Sequence, residues 1–160
     1  MIDIRLDGDH GVFVWSDEVG VKIYNIDPLV EIGRLDTGST ISACNIGRTN
    51  LVSLVGGGER PKFSQNSLVL YDAELGEAAM DITFGAPVLK TLLSKDTAIA
   101  VLASCTYVYS IPDGRLLLEA PTRKNKRGLV DFKQNRLAIP GHKQGSVHVS
   151  NISFYIAGNY

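Results

Sequence analysis

Apolar and polar residues alternate along this chain with a period of two, in short runs broken by turn formers. That is the pattern of strands rather than helices. The runs are GVFVW (11–15), GVKIYNI (20–26), NLVSLV (50–55), SLVLYD (67–72), AIAVLA (98–103), TYVYSI (106–111), RLAIPG (136–141) and SVHVSN (146–151), rich in β-branched or aromatic residues. Asp-Gly at 7–8 and 113–114, Asn25, Gly76 and Gly145 bound them. Only APVLKTLLS (86–94) could pass for a helix; nine residues without a clear cap are too few, and a strand is expected.

The runs repeat. Each unit reads as an apolar strand, a turn, then a strand of the form x-V-x-[IVL]-Y. Aligning VKIYNI, LVLYDA, TYVYSI and VHVSN puts Tyr24, Tyr71, Tyr109 and Val149 in register, 47, 38 and 40 residues apart. A period of roughly 40 to 45 residues with about four strands per unit is that of a propeller blade. The expected fold is therefore all-β, a WD-repeat-like β-propeller segment of about three and a half blades. The blades fall near 4–34, 41–84 and 87–121, with a partial one over 127–153, in a single domain over 1–160 whose tail, 151–160, breaks the pattern. Where ordinary WD repeats close the third strand with Trp-Asp, Tyr71-Asp72 comes nearest here, and Tyr24-Asn25 and Tyr109-Ser110 are weaker versions. A sandwich or barrel of evenly spaced hairpins is the competing architecture, and the repeat favours the propeller. Closed propellers need at least four blades, so this segment is expected to be half of a molecule.

Composition narrows the class. The 160 residues are 44% hydrophobic and 21% charged, as in a soluble globular domain able to bury a core. A formal net charge of −1 gives no global attraction to nucleic acid or anionic lipid. The N-terminal MIDIRLDGDHG lacks the apolar core of a secretory signal. No apolar run approaches the roughly 18 residues of a membrane-spanning helix. A cytosolic or peripheral protein is expected. Cys44 and Cys105 lie in apolar segments without a second Cys or a His at metal-ligand spacing, and are expected to be reduced core thiols.

Candidate chemistry begins with LVGGGERPKF (54–63). A phosphate-binding P-loop needs Gly-Lys-[Ser/Thr] at its end, and Gly58 is followed instead by Glu59, Arg60 and Pro61. A dinucleotide loop must open a helix, whereas these glycines lead into another strand. They are expected to relieve crowding where the chain leaves a strand, or to form a bulge. The histidines are His10, His142 and His148, with no Gly-x-Ser-x-Gly elbow and no paired His spacing. Ser146 and His148 share one strand face, with Asp131 as a possible third member of a triad; no enzyme, metal or cofactor is expected. PTRKNKRG (121–128) offers Arg123, Lys124, Lys126 and Arg127 to phosphate. The nearest aromatic is Phe132, so no nucleic-acid partner is expected, and the stretch reads as a solvated connector.

Together these residues resemble the PROPPIN family, the WD-repeat proteins that bind phosphoinositides in autophagy, called WIPI proteins in animals. GVKIYNIDPL (20–29) is similar to the family's first-blade strand. LVGGGERPKFSQNSLVLYD (54–72) resembles its most distinctive block: a Gly-rich strand end, Pro-Lys-Phe, a short loop and a strand ending in an acid. PVLKTLL (87–93), TYVYSIPDG (106–114), RKNKRGLVD (123–131) and LAIPGHKQGSVHV (137–149) follow in the family's order. The resemblance covers about residues 4 to 150, and the Pro-Gly-His-Lys version of the last block is most similar to the animal WIPI branch with short loops.

The resemblance implies a seven-bladed propeller of roughly twice this length and a non-catalytic autophagy adaptor, peripheral on autophagosome precursor membranes. It implies recruitment by phosphatidylinositol 3-phosphate or the 3,5-bisphosphate through a Phe/Leu-Arg-Arg-Gly motif between the fifth and sixth blades. That motif does not occur here. Lys126-Arg127-Gly128 stands at the start of the fourth blade, where the family carries a Lys-Gly turn, so no lipid-binding residue is assigned in this chain. The implied protein partner is the rod-shaped lipid-transfer protein of autophagosome formation. Two candidate contacts follow: the acidic turn Asp7-Gly8-Asp9, and the second-blade loop of Pro61, Lys62, Phe63, Ser64, Gln65 and Asn66. In the first, Asp9 matches the family's acid, while Asp7 stands where Asn is commoner. Asp-Gly and Ser-Gln-Asn are also ordinary turn formers. The alternative function is a WD-repeat scaffold without lipid binding.

Overall fold

The structure is a computed structural model and describes residues 2–7, 11–111 and 113–153. These residues form strands and turns, with no helix among them. The first sheet takes β1 (Asp3–Asp7), β2 (Val12–Ser16), β3 (Val21–Asn25) and β4 (Val30–Leu35). The second takes β5 (Gly38–Asn45), β6 (Leu51–Pro61), β7 (Ser67–Asp72) and β8 (Glu77–Thr83). The third takes β9 (Val88–Leu93), β10 (Thr97–Leu102), β11 (Cys105–Ser110) and β12 (Leu116–Pro121). A fourth, three-stranded sheet holds β13 (Asp131–Lys133), β14 (Arg136–Pro140) and β15 (Val147–Asn151). Within each sheet, neighbours in sequence pair antiparallel, the meander of a propeller blade. Tyr24, Tyr71, Tyr109 and Val149 all fall on the third strand of their sheet, and the stretch 86–94 supplies β9.

The core lies between consecutive sheets rather than inside any one. Val14, Ile23, Val52 and Leu54 fill the space between the first and second sheets. Val55, Leu68, Val88 and Ala100 do so between the second and third, and Ile99, Val108, Leu137 and Ile139 between the third and fourth. A strand covered on both faces loses its alternation, which is why all six residues of β10 are buried. The fourth strands β4 and β8 are mostly exposed. The two end sheets have no sheet outside them among the described residues, and Ile4 and Leu6 at one end and Val147 and Val149 at the other are each more than half exposed.

At the inner edge, one hydroxyl ties three sheets together. Ser42 Oγ on β5 accepts the amide of Thr91 on β9 at 3.3 Å and Arg5 Nη2 from β1 at 3.3 Å. Cys105 is buried and Cys44 half-buried, with no disulfide between them. Burial pushes the Cys105 thiol above its ordinary pKa, the behaviour of an inert packing group.

Because each sheet is a meander and the links between sheets are short, successive turns alternate between two faces of the assembly. The β2–β3, β4–β5, β6–β7, β8–β9, β10–β11, β12–β13 and β14–β15 connections lie on one face, and the others lie on the opposite face.

Candidate functional site

The glycine run is part of β6, which continues through it to Pro61. Thr40 pairs with Gly56 and Gly38 with Pro61, so β6 spends four residues where β5 spends one. This is an enlarged bulge, and each glycine in it meets a different neighbour. A Cβ on Gly56 would stand 1.8 Å from the Phe63 carbonyl oxygen. One on Gly57 would meet the Ile41 side chain at 2.9 Å, and one on Gly58 the Glu18 carboxylate at 2.5 Å. The amides that follow are engaged: Glu59 N–H donates to Glu18 Oε2 at 3.1 Å and Arg60 N–H to Ser39 Oγ at 2.9 Å. A run that resembles a phosphate cradle in letters is, in space, a close approach of backbone to protein.

The neighbour supplying Glu18 is the β2–β3 turn, and Asp17 builds it. Asp17 Oδ1 accepts the amides of Val19 and Gly20 at 2.8 and 3.2 Å. Its Oδ2 accepts Trp15 Nε1 at 3.0 Å and Lys22 Nζ at 3.2 Å. Burial opposes the charged carboxylate, but the Val19 amide, Lys22, Trp15 and the Gly20 amide together outweigh it and hold the Asp17 pKa below its ordinary value. The turn docks on the second sheet through Thr40 N–H to Asp17 O at 2.9 Å and Ser39 Oγ to Glu18 O at 3.2 Å. Nothing in the sequence pattern singled out Asp17, Glu18 or Ser39; an acid two to three residues before a glycine between strands is the signal that was available.

The Pro61–Asn66 loop grows from this bulge. Lys62 is exposed; its Nζ pairs with Asp36 Oδ2 at 2.8 Å and also donates to Asp36 O at 2.9 Å. The hydrogen bond and charge of Lys62 lower the Asp36 pKa. Phe63 is half-buried against the first core layer, edge-on to Tyr71 with ring centres 6.0 Å apart. Ser64 Oγ accepts the Asn66 amide at 3.0 Å. The carbonyls of Gln65 and Asn66 accept the amides of Val88 and Phe84 at 2.9 and 2.8 Å, fixing the loop against the link to the third sheet. Pro61, Lys62, Ser64 and Gln65 are thus exposed on a framed loop.

The other candidate contact lies elsewhere. Asp7 ends β1 opposite Val12, at the face where Ile26 N–H donates to Gly11 O. Strand direction puts that end opposite the one carrying Pro61–Asn66, so the two clusters are not brought together. Asp9 lies outside the described residues, as does most of the 151–160 tail, although Ile152 is buried in the third core layer.

Ser146, His148 and Asp131 are each engaged locally. Ser146 Oγ donates to Lys143 O at 2.7 Å, His148 Nε2 and Ser150 Oγ share a hydrogen bond of 2.8 Å, and Asp131 Oδ1 accepts the Phe132 amide at 3.0 Å. No group of three or more His, Cys, Asp or Glu residues able to hold a metal occurs among the described residues.

Comparison with known proteins agrees with this architecture. No family model matches the chain. SVP1-like protein 2 of Pichia angusta is 28% identical over 162 residues, an alignment covering 96% of this chain and 45% of that protein. SVP1-like protein 2 of Debaryomyces hansenii is 32% identical over 142 residues, covering 84% of this chain and 33% of that protein. Among solved structures, Kluyveromyces lactis Hsv2 superposes with a TM-score of 0.81 at 16% identity, covering 98% of this chain and 47% of that one. A complex of KlAtg21 with the coiled-coil of AgAtg16 matches with a TM-score of 0.68 at 19% identity, covering 84% of this chain and 45% of that one. The chain spans less than half the length of these relatives, and over that span it has the β-propeller fold of the Hsv2 structures.

Proposed function

We propose that this chain is a segment of a PROPPIN-type propeller, acting without catalysis as an adaptor in autophagosome formation. The observation that carries this reading is the superposition of all four sheets on Hsv2 over 98% of the chain, joined to sequence similarity with SVP1-like proteins over nearly the same span. In the complete protein, phosphatidylinositol 3-phosphate or 3,5-bisphosphate would be bound by a paired-arginine motif that these 160 residues do not contain. Paired arginines suit two phosphates through bidentate hydrogen bonds. The contribution of this segment is the Pro61–Asn66 loop, an exposed edge already ordered by backbone hydrogen bonds, so docking a lipid-transfer partner costs little further entropy.

The test is capture of that partner by the chain carrying Lys62→Glu and Gln65→Arg, beside a chain carrying Lys95→Gln, which changes an exposed residue on the opposite face. Loss of capture in the first and retention in the second is expected, with melting unchanged, because an exposed ion pair such as Lys62–Asp36 adds little stability. Full retention in the loop variant would sink the assignment and favour a scaffold with other partners.

A further inference from the structure

The face bearing the Pro61–Asn66 loop also carries an uneven charge distribution. Its β12–β13 connection and β14–β15 turn hold Arg123, Lys124, Lys126, Arg127 and Lys143 and no Asp or Glu. The connector after β12 is solvated along its basic residues, as expected from sequence, and two buried residues pin it. The Thr122 amide donates to Ser104 O at 2.9 Å, and the Asn125 amide to Ala103 O at 2.6 Å. Asn125 then closes its own turn, donating through Nδ2 to Leu129 O at 2.9 Å and accepting the Leu129 amide at 2.8 Å. Around these anchors Arg123, Lys124, Lys126 and Arg127 stand exposed, with no ion pair or hydrogen bond among the described residues.

Across a groove of about 320 Å³ lies the β14–β15 turn, which brings Lys143, Gln144 and Ser146 to face Arg123 and Lys124. That turn is closed by Gly141 N–H to Ser146 O at 2.9 Å and by the Ser146 amide and hydroxyl, both donating to Lys143 O. Three cations are therefore held around one groove by two ordered turns, with no carboxylate among its lining residues. Their mutual repulsion in the empty groove is relieved by an anion, most effectively one with several oxygens that accept charge-assisted hydrogen bonds. No aromatic residue is among the described residues lining the groove to hold a base, and Phe132 packs into the third core layer.

We infer that this groove binds a small anion rich in phosphate oxygens, either free or as a phosphomonoester headgroup on a membrane. The experiment is calorimetric titration of the chain with inorganic pyrophosphate, repeated with the R123Q/K124Q/K143Q triple variant and with K95Q, which removes an exposed lysine on the opposite face. Saturable binding that weakens by about tenfold or more in the triple variant and is unchanged in K95Q is expected. All three groove side chains are exposed, so the variant should melt with the wild type. No saturable binding, equal binding by the triple variant, or equal weakening by K95Q overturns the proposal, and so does polyglutamate competing as well as pyrophosphate. Sedimentation with phosphatidic acid vesicles above that with phosphatidylserine vesicles, lost in the triple variant, assigns the anion to a membrane. Absence of that difference beside intact pyrophosphate binding assigns it to solution.

Discussion

Gly56→Ala should be strongly damaging for a single added methyl. The added Cβ would meet Phe63 at 1.8 Å from its carbonyl oxygen and 2.5 Å from its carbonyl carbon. To regain ordinary contact near 3.4 Å, one backbone must move by roughly 1.6 Å. Both are fixed, Gly56 by pairing with Thr40 and Phe63 by packing on the first core layer. Overpacking of this kind costs about 3 kcal/mol or more, against a gain below about 1 kcal/mol from restricting the unfolded chain. With a urea dependence of about 2 kcal/mol per M, the unfolding midpoint should fall by about 1.5 M. Fluorescence of Trp15, the single tryptophan, reports the transition. Gly85→Ala calibrates the assay: its Cβ has nothing within 4 Å and its φ is not in the left-handed region, so the midpoint should hold or rise. Gly76→Ala, at φ 72° with open space, should lose about 1 kcal/mol from backbone strain alone. A Gly56→Ala midpoint indistinguishable from that of Gly85→Ala would refute the close-approach account of the glycine run.

Two further predictions use the same assay. Ser42→Ala leaves the buried Thr91 amide without its acceptor and should cost about 1 to 3 kcal/mol, with Ser42→Thr losing less. Asp17→Asn should destabilise at neutral pH. A carboxyl whose folded pKa is depressed contributes stability above its unfolded value of 3.8, and that contribution disappears as pH falls through the folded value. Acid should therefore destabilise the wild type more steeply than Asp17→Asn, and parallel acid profiles would remove Asp17 from the account.

The fold was legible because it is written redundantly. The third-strand tyrosines of the first three sheets, replaced by Val149 in the fourth, recur with the turn residues at a blade-length period, so a misplaced boundary in one sheet is corrected by the others. The second sheet shows the limit: its first strand begins at Gly38 and its second runs unbroken through three glycines to Pro61. Apart from Phe63, the neighbours that impose that shape, Ile41, Ser39 and Glu18, lie 16 or more residues away, and no local pattern records them. The separation of Asp7 from Pro61–Asn66 was implicit in counting strands, since each meander turn changes face. The rigidity of the basic connector was hidden, because the buried roles of Thr122 and Asn125 depend on carbonyls of the Ala103–Ser104 turn.

The Ser42 hydroxyl joins residues 37 and 49 positions apart in the chain, on three different sheets. Pairing within a sheet is local and can form as hairpins on a timescale of microseconds, but this junction exists only after three sheets have met. Refolding should therefore separate into fast hairpin formation and a slower docking step. Ser42→Ala should then slow the docking step to the extent that the junction is present in its transition state, and otherwise speed unfolding.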